Sequence, residues 1–161
     1  MTTPRLWLPI VSGPPAGSTI TANQQAVRLA RLIITAPWQQ RQDAAIHHLL
    51  MRAAQWHAED MIARHYFAHN TPEGVTPNEM VLATGYRLVD WYWVMGNAVE
   101  SISGGWKLPE EVVQAWLDSP AHHDHVAGVG DFFGAQINIG TGYAAEPPEG
   151  DWECWVLISC P

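Results

Sequence analysis

The stretch from Trp152 to Cys160 (WECWVLISC) constrains the fold more than any other, because it is apolar on both of its alternating faces. Successive side chains of a strand point to opposite sides, so Trp152, Cys154, Val156 and Ile158 share one face and Trp155 and Leu157 the other. Such a strand lies inside a sheet covered on both sides. Phe132 to Gly142 reads as a second strand, and the turn-rich AAEPPEGD between them predicts an antiparallel pair. Helical patterns precede both. The expected class is therefore α+β, a three-layer α-β-α sandwich with a mainly antiparallel central sheet.

Ala26, Val27, Leu29, Ala30, Ile33 and Ile34 recur at helical spacing and predict a first helix over Thr21 to Ile34, with Thr21 or Asn23 as caps and Pro37 as boundary. The strongest helical pattern runs from Ala44 to Tyr66, with Leu49, Leu50, Ala53, Ala54, His57, Ala58, Met61 and Ile62 on one face. His69 to Asn78 is loop by its Pro, Gly and Asn content; Pro77 and Asn78 open a helix over Glu79 to Thr84 that Gly85 closes. Arg87 to Val99, rich in aromatic and β-branched residues, predicts a strand or an irregular aromatic segment. Pro109 to Leu117 is helical, with Pro in the first turn and Glu110 and Glu111 at the positive end. Ser119-Pro120 stops it and can cap another helix, placing His122 in a first turn. Arg5 to Gly17 suits an extended lead-in, so the expected organisation is a lead-in over 1–20 and one domain over 21–161.

With 161 residues, 47% hydrophobic and 15% charged, the chain suffices for one domain with a real core, and no apolar run approaches the roughly 20 residues of a membrane helix. Eight Lys+Arg against sixteen Asp+Glu give a net charge of −8, which disfavours nucleic acid and anionic membrane surfaces as partners. Nine Trp against four Tyr and three Phe call for large core pieces or a cleft that receives something apolar. Cys154 and Cys160 lie roughly 20 Å apart on a straight strand, too far for a bridge, so both are expected unpaired unless the chain turns back. Two cysteines leave the redox compartment undecided.

Eight histidines among so few bases are the first functional hint, since neutral imidazole is the commonest protein ligand for transition metals. His47, His48, His57 and His65 sit in the long helical stretch, where ordinary packing explains them. No HExxH occurs, which excludes a zincin. His122, His123, Asp124 and His125 form a local HHDH cluster in which His122 and His125 share a helix face and can chelate; a solvated polar turn explains it equally well.

The order LLMRAAQWHAEDM, YFAHNTPEGVTPNEMVLATGY, ESISGGWKLPEEVVQAWLDSPAHHDHV and FFGAQINIGTGY, followed by the final strand, resembles the CAP superfamily. That family groups cysteine-rich secretory proteins, antigen 5, plant pathogenesis-related proteins and bacterial SCP-like extracellular domains. The resemblance spans about Ala26 to Cys160. His69 and Gly74 fit its H-x-x-x-x-G loop, Glu100-Ser101-Ile102-Ser103 its ENIA segment, and Trp116 with Ser119-Pro120-Ala121-His122 its W-x-x-SPGH segment. It implies that His69, Glu100 and His122 line a cleft holding a divalent metal, often zinc. A second cavity Glu of animal members falls near Ser119 here, and Val99, Ser101, Ala121, His123 and His125 also depart from the pattern. Two imidazoles and a carboxylate suffice for zinc, with a fourth position for water or substrate. The resemblance also implies secretion; as Met1 to Arg5 opens no signal peptide, the leader is expected to be absent from this sequence.

Three functions stay open: a metal-binding cleft that also takes a small-molecule or lipid ligand, an extracellular metal-assisted or serine hydrolase, and a non-catalytic adhesion or interaction module. The serine reading needs Ser101 or Ser119 in reach of an imidazole, a carboxylate and an oxyanion hole. Glu110 and Glu111, being adjacent, point apart and suit the helix dipole better than a glycosidase pair. Trp91, Tyr92, Trp93 and Trp106 wall an apolar cleft or fill the core.

Overall fold

The computed structural model describes residues 23–146 and 152–161. The lead-in, Thr21 as a cap and most of the AAEPPEGD turn lie outside them. In chain order the elements are α1 (Gln24–Ile34), β1 (Ala45–Ile46), α2 (His48–Arg64), α3 (Pro77–Ala83), a 3₁₀ turn (Asp90–Met95), β2 (Glu100–Gly104), α4 (Pro109–Leu117), α5 (His123–Ala127), α6 (Gly130–Gly134), β3 (Asn138–Ala145) and β4 (Glu153–Cys160).

β4 is buried along its whole length and is an inner strand of a sheet ordered β1-β3-β4-β2. It pairs antiparallel with β3 and β2, whereas β1 pairs parallel with β3, so the sheet is mixed. Cys154, Val156, Ile158 and Cys160 pack with Leu50, Ala53, Ala54, Ala58 and Met61 of α2. Trp155 and Leu157 pack on the other side with Leu29 and Ile33 of α1 and Val112 and Trp116 of α4. These are the three layers that the two-faced strand required.

At two points α2 and β3 meet backbone to backbone. A Cβ on Gly140 would overlap the Leu50 carbonyl, and one on Gly142 the Ala54 carbonyl, so glycine at both positions lets helix and strand backbones touch.

Several boundaries differ from expectation. Ala45 and Ile46 leave the helical stretch to pair with Asn138 and Ile139, and His47 caps α2 by accepting from the Leu49 amide at 3.3 Å. Phe132 and Phe133 lie in α6, and strand begins only at Asn138. The aromatic segment after Arg87 is a 3₁₀ turn, with Tyr92 buried and Trp91 53% exposed. His122 immediately precedes α5, one residue short of a helical first turn. Cys154 and Cys160 are unbridged and buried.

Candidate functional site

Three connections bring the site together. α2 ends where His65 adopts a left-handed conformation (φ 54°), and the loop that follows is fastened back to the helix. Arg64 pairs with Asp60 and with Glu73 (2.6 Å), and the Tyr66 hydroxyl donates to Asp60 at 2.7 Å. That loop carries His69. Glu100 opens β2, its amide donating to Asn97 Oδ1 at 2.9 Å while Asn97 Nδ2 donates to the Glu100 carbonyl at 3.1 Å. The α4–α5 turn carries His122, whose Nδ1 lies 2.8 Å from the Ser119 hydroxyl.

His69, Glu100 and His122 line one cleft of about 270 Å³, together with Ser101, His125, Phe132 and Phe133. The Glu100 side chain is fully buried, with His69 Nδ1 2.8 Å from Oε1 and His57 Nδ1 2.6 Å from Oε2. Burial favours the neutral acid, but the two imidazoles override it and hold the Glu100 carboxyl below its ordinary range. An ionised carboxylate only accepts, so each of these Nδ1 atoms carries the hydrogen it donates. Burial first, then the charge of His69, lowers the His122 pKa.

No three His, Cys, Asp or Glu side chains among the described residues are grouped so that they could hold a metal ion. Glu100 stands behind His69, with both oxygens engaged by imidazoles, instead of beside it as a further ligand. What the cleft offers a cation is the rings of His69 and His122, the first with Nδ1 bonded to Glu100 Oε1 and the second with Nδ1 bonded to the Ser119 hydroxyl. Ligating imidazoles are held in this way, so the residues fit a two-imidazole site backed by a carboxylate.

The HHDH cluster does not converge. His123 is exposed and meets Asp124 at 2.9 Å, whereas His125 is buried between Ser101 and Ser159. The hydrogens around His125 have one consistent order. Gln136 Nε2 donates to Tyr92 (3.0 Å) and to the Ala98 carbonyl (2.8 Å), leaving Oε1 to accept from Ser159 at 2.7 Å. Ser159 has no second hydrogen, so His125 Nε2 donates to it at 2.7 Å, as Arg41 does at 3.1 Å. His125 Nδ1 is left to accept from Ser101 at 2.7 Å. This resembles a nucleophile and its base, but the ring nitrogen opposite Ser101 meets the Ser159 hydroxyl, with Arg41 behind it, where a carboxylate would be needed. Burial and then Arg41 push the His125 pKa down to about 3, so the ring stays neutral and is a poor proton acceptor. Glu100 bonds neither serine-linked imidazole, so no Ser-His-carboxylate triad forms among the described residues.

Glu110 pairs with Arg28 and Glu111 accepts from the Leu108 amide at 3.0 Å, so the two carboxylates serve the start of α4. Sequence reasoning missed His57 as a member of the site. Its signal was an imidazole in the middle of an otherwise apolar helix face, which burial obliges to find a polar partner.

Residues 43–139, which include the whole His-Glu cluster, match the model of the cysteine-rich secretory protein family, CAP. A stretch of 81 residues is 32% identical to the uncharacterized protein YkwD of Bacillus subtilis, covering 50% of this chain and 29% of that relative, so the chain spans under a third of its length. An outer surface protein from Borrelia burgdorferi superposes with a TM-score of 0.60 at 17% identity, over 88% of this chain and 95% of that one. An extracellular protein containing an SCP domain from Bacillus anthracis superposes with a TM-score of 0.55 at 16% identity, over 83% of this chain and 40% of that one. At these identities the two structures establish a shared fold.

Proposed function

The chain belongs to the cysteine-rich secretory protein (CAP) family, and from that premise we propose that its cleft is a divalent-cation site, selective for an ion that favours imidazole such as zinc, in an extracellular protein. The observation that carries this reading is the pair of imidazoles, His69 and His122, that share the cleft with each Nδ1 already bonded to a protein oxygen. His69 and His122 hold the ion through Nε2; Glu100 keeps the His69 ring in the ligating tautomer and supplies negative charge close by. Phe132 and Phe133 give the same cleft an apolar wall, suited to a small ligand with an apolar part. A cation held by two imidazoles keeps open positions at which water or a ligand oxygen is polarised. Extracellular placement is supported by the structural relatives, one an outer surface protein and one an extracellular protein.

Zinc titration calorimetry on untagged protein tests the site. His69→Ala and His122→Ala each abolish high-affinity uptake, while His123→Ala, altered at an exposed ring directed to Asp124, binds as the parent does. Uptake that survives both cleft substitutions and is lost in His123→Ala contradicts the proposal and moves the ion to the HHDH turn.

A further inference from the structure

His57 lies on the buried face of α2 and is itself completely buried. Its Nδ1 donates to Glu100 Oε2 at 2.6 Å, across a sequence separation of 43 residues, and its Nε2 has no hydrogen-bond partner among the described residues. An imidazole used only to fill space would leave no nitrogen unpaired at such depth, because an isolated buried polar atom costs stability that an apolar side chain of the same size avoids. Glu100 explains its presence. With one oxygen fixed by His57, the carboxylate can turn only its other oxygen to the loop that carries His69.

Resting on the cation-site reading above, we infer that His57 is a positioning residue: it clamps Glu100 so that Oε1 takes the Nδ1 hydrogen of His69 and leaves His69 Nε2 as the ring's available lone pair. The three side chains form one line, His57 Nδ1–H to Oε2 and Oε1 to H–Nδ1 His69, running from the helix core to the cleft. At the far end the His69 side chain is 40% exposed while the other two are sealed, so the line orients the one member that a solute can reach. Without His57, Glu100 keeps a single imidazole partner, its carboxyl group is free to rotate, and the tautomer of His69 is no longer imposed.

Long-range ¹H–¹⁵N spectra of the imidazoles in the full chain, recorded without metal, read this directly. In the parent protein His57 and His69 both carry hydrogen on Nδ1, and His69 Nε2 shows the shift of a bare nitrogen. His57→Leu moves His69 to a tautomer mixture and weakens zinc affinity roughly 10- to 100-fold, the range typical of losing a partner that orients a ligand. His57→Asn, which can place an amide nitrogen where Nδ1 was, restores the parent tautomer and most of the affinity, a rescue that restored packing alone would not give. An unchanged His69 spectrum in folded His57→Leu overturns the inference. If His57→Leu does not fold, the parent spectrum decides, because hydrogen on His69 Nε2 with Nδ1 bare overturns it equally. Parent protein with the stated tautomer but no zinc uptake overturns the cation site and supports the positioning role, so the two failures are distinguishable.

Discussion

Glu100 and His125 both line the cleft and are held in opposite charge states by their surroundings. Glu100 is ionised because two imidazoles donate to it; His125 is neutral because burial and Arg41 oppose a second positive charge. Both pKa values are depressed relative to an unfolded chain, so both groups lose native stability on acidification. For His125 the unfolded chain takes up a proton below about 6.5 that the native state refuses until about 3, and stability falls across that window by at most about 1.4 kcal/mol per pH unit. His47 and His122, also depressed, act in the same direction. Urea unfolding between pH 6.5 and 5, above the carboxylate range, should therefore show falling stability, with a shallower fall in His125→Gln; an unchanged slope would refute the neutral, buried histidine. Arg41 belongs to the same cluster, donating to the His125 and Val126 carbonyls and to Ser159 from a nearly buried position. Arg41→Met leaves those acceptors unpaired and should cost about 2–4 kcal/mol by denaturant titration.

At the scale of elements, α2 and β3 depend on what is missing from their contact. Gly140 and Gly142 lie on the same face of β3, against the Leu50 and Ala54 carbonyls one helical turn apart. Because the obstacle to a methyl group is backbone, it cannot swing aside. Gly140→Ala and Gly142→Ala should each destabilise by about 3 kcal/mol or more, an upper-range overpacking penalty, whereas Gly104→Ala, which meets mainly the edge of the Phe67 ring and one carbonyl, should cost less. Chemical denaturation of the three variants orders them. α3 is a local element by contrast: Thr76 and Glu79 form a reciprocal capping box, and Thr76→Ala should cost about 1 kcal/mol. This difference in origin governs what the sequence discloses. Pro109 to Leu117 is legible to the residue because proline, first-turn glutamates and an apolar stripe all act within nine residues. β1 reads as helix because its two residues are extended only through pairing with Asn138 and Ile139, far along the chain. Phe132 and Phe133 likewise look like strand residues and are held in α6 by tertiary packing.

At the scale of the molecule, the two-faced strand is enough to forecast three layers, since a strand apolar on both sides leaves no other way to exclude water. The parallel pairing of β1 escapes the same reasoning, because nothing in a two-residue strand encodes its direction. The cysteines follow from the same strand: both face α2 from opposite ends of β4, and burial pushes the Cys154 thiol up to about 12 and Cys160 also upward. Alkylation of native protein should therefore be slow at both and become fast only on unfolding, with a Tm unaffected by reductant. Of the cleft, His69, Glu100 and His122 are reached through resemblance to a family pattern, because separations of 31 and 22 residues carry no geometric signal. The manner in which Glu100 is used, bonded to two imidazoles, stays hidden in the sequence, since it depends on α2 presenting His57 to the first residue of β2. X-ray absorption at the zinc edge of the loaded, untagged protein is the sharpest test of a two-imidazole cation site. The expected shell holds two imidazole nitrogens at about 2.0–2.1 Å with oxygen completing it, and His122→Ala protein carried through the same loading retains no such shell. A shell with three or more imidazoles, or one unchanged in His122→Ala, would contradict it.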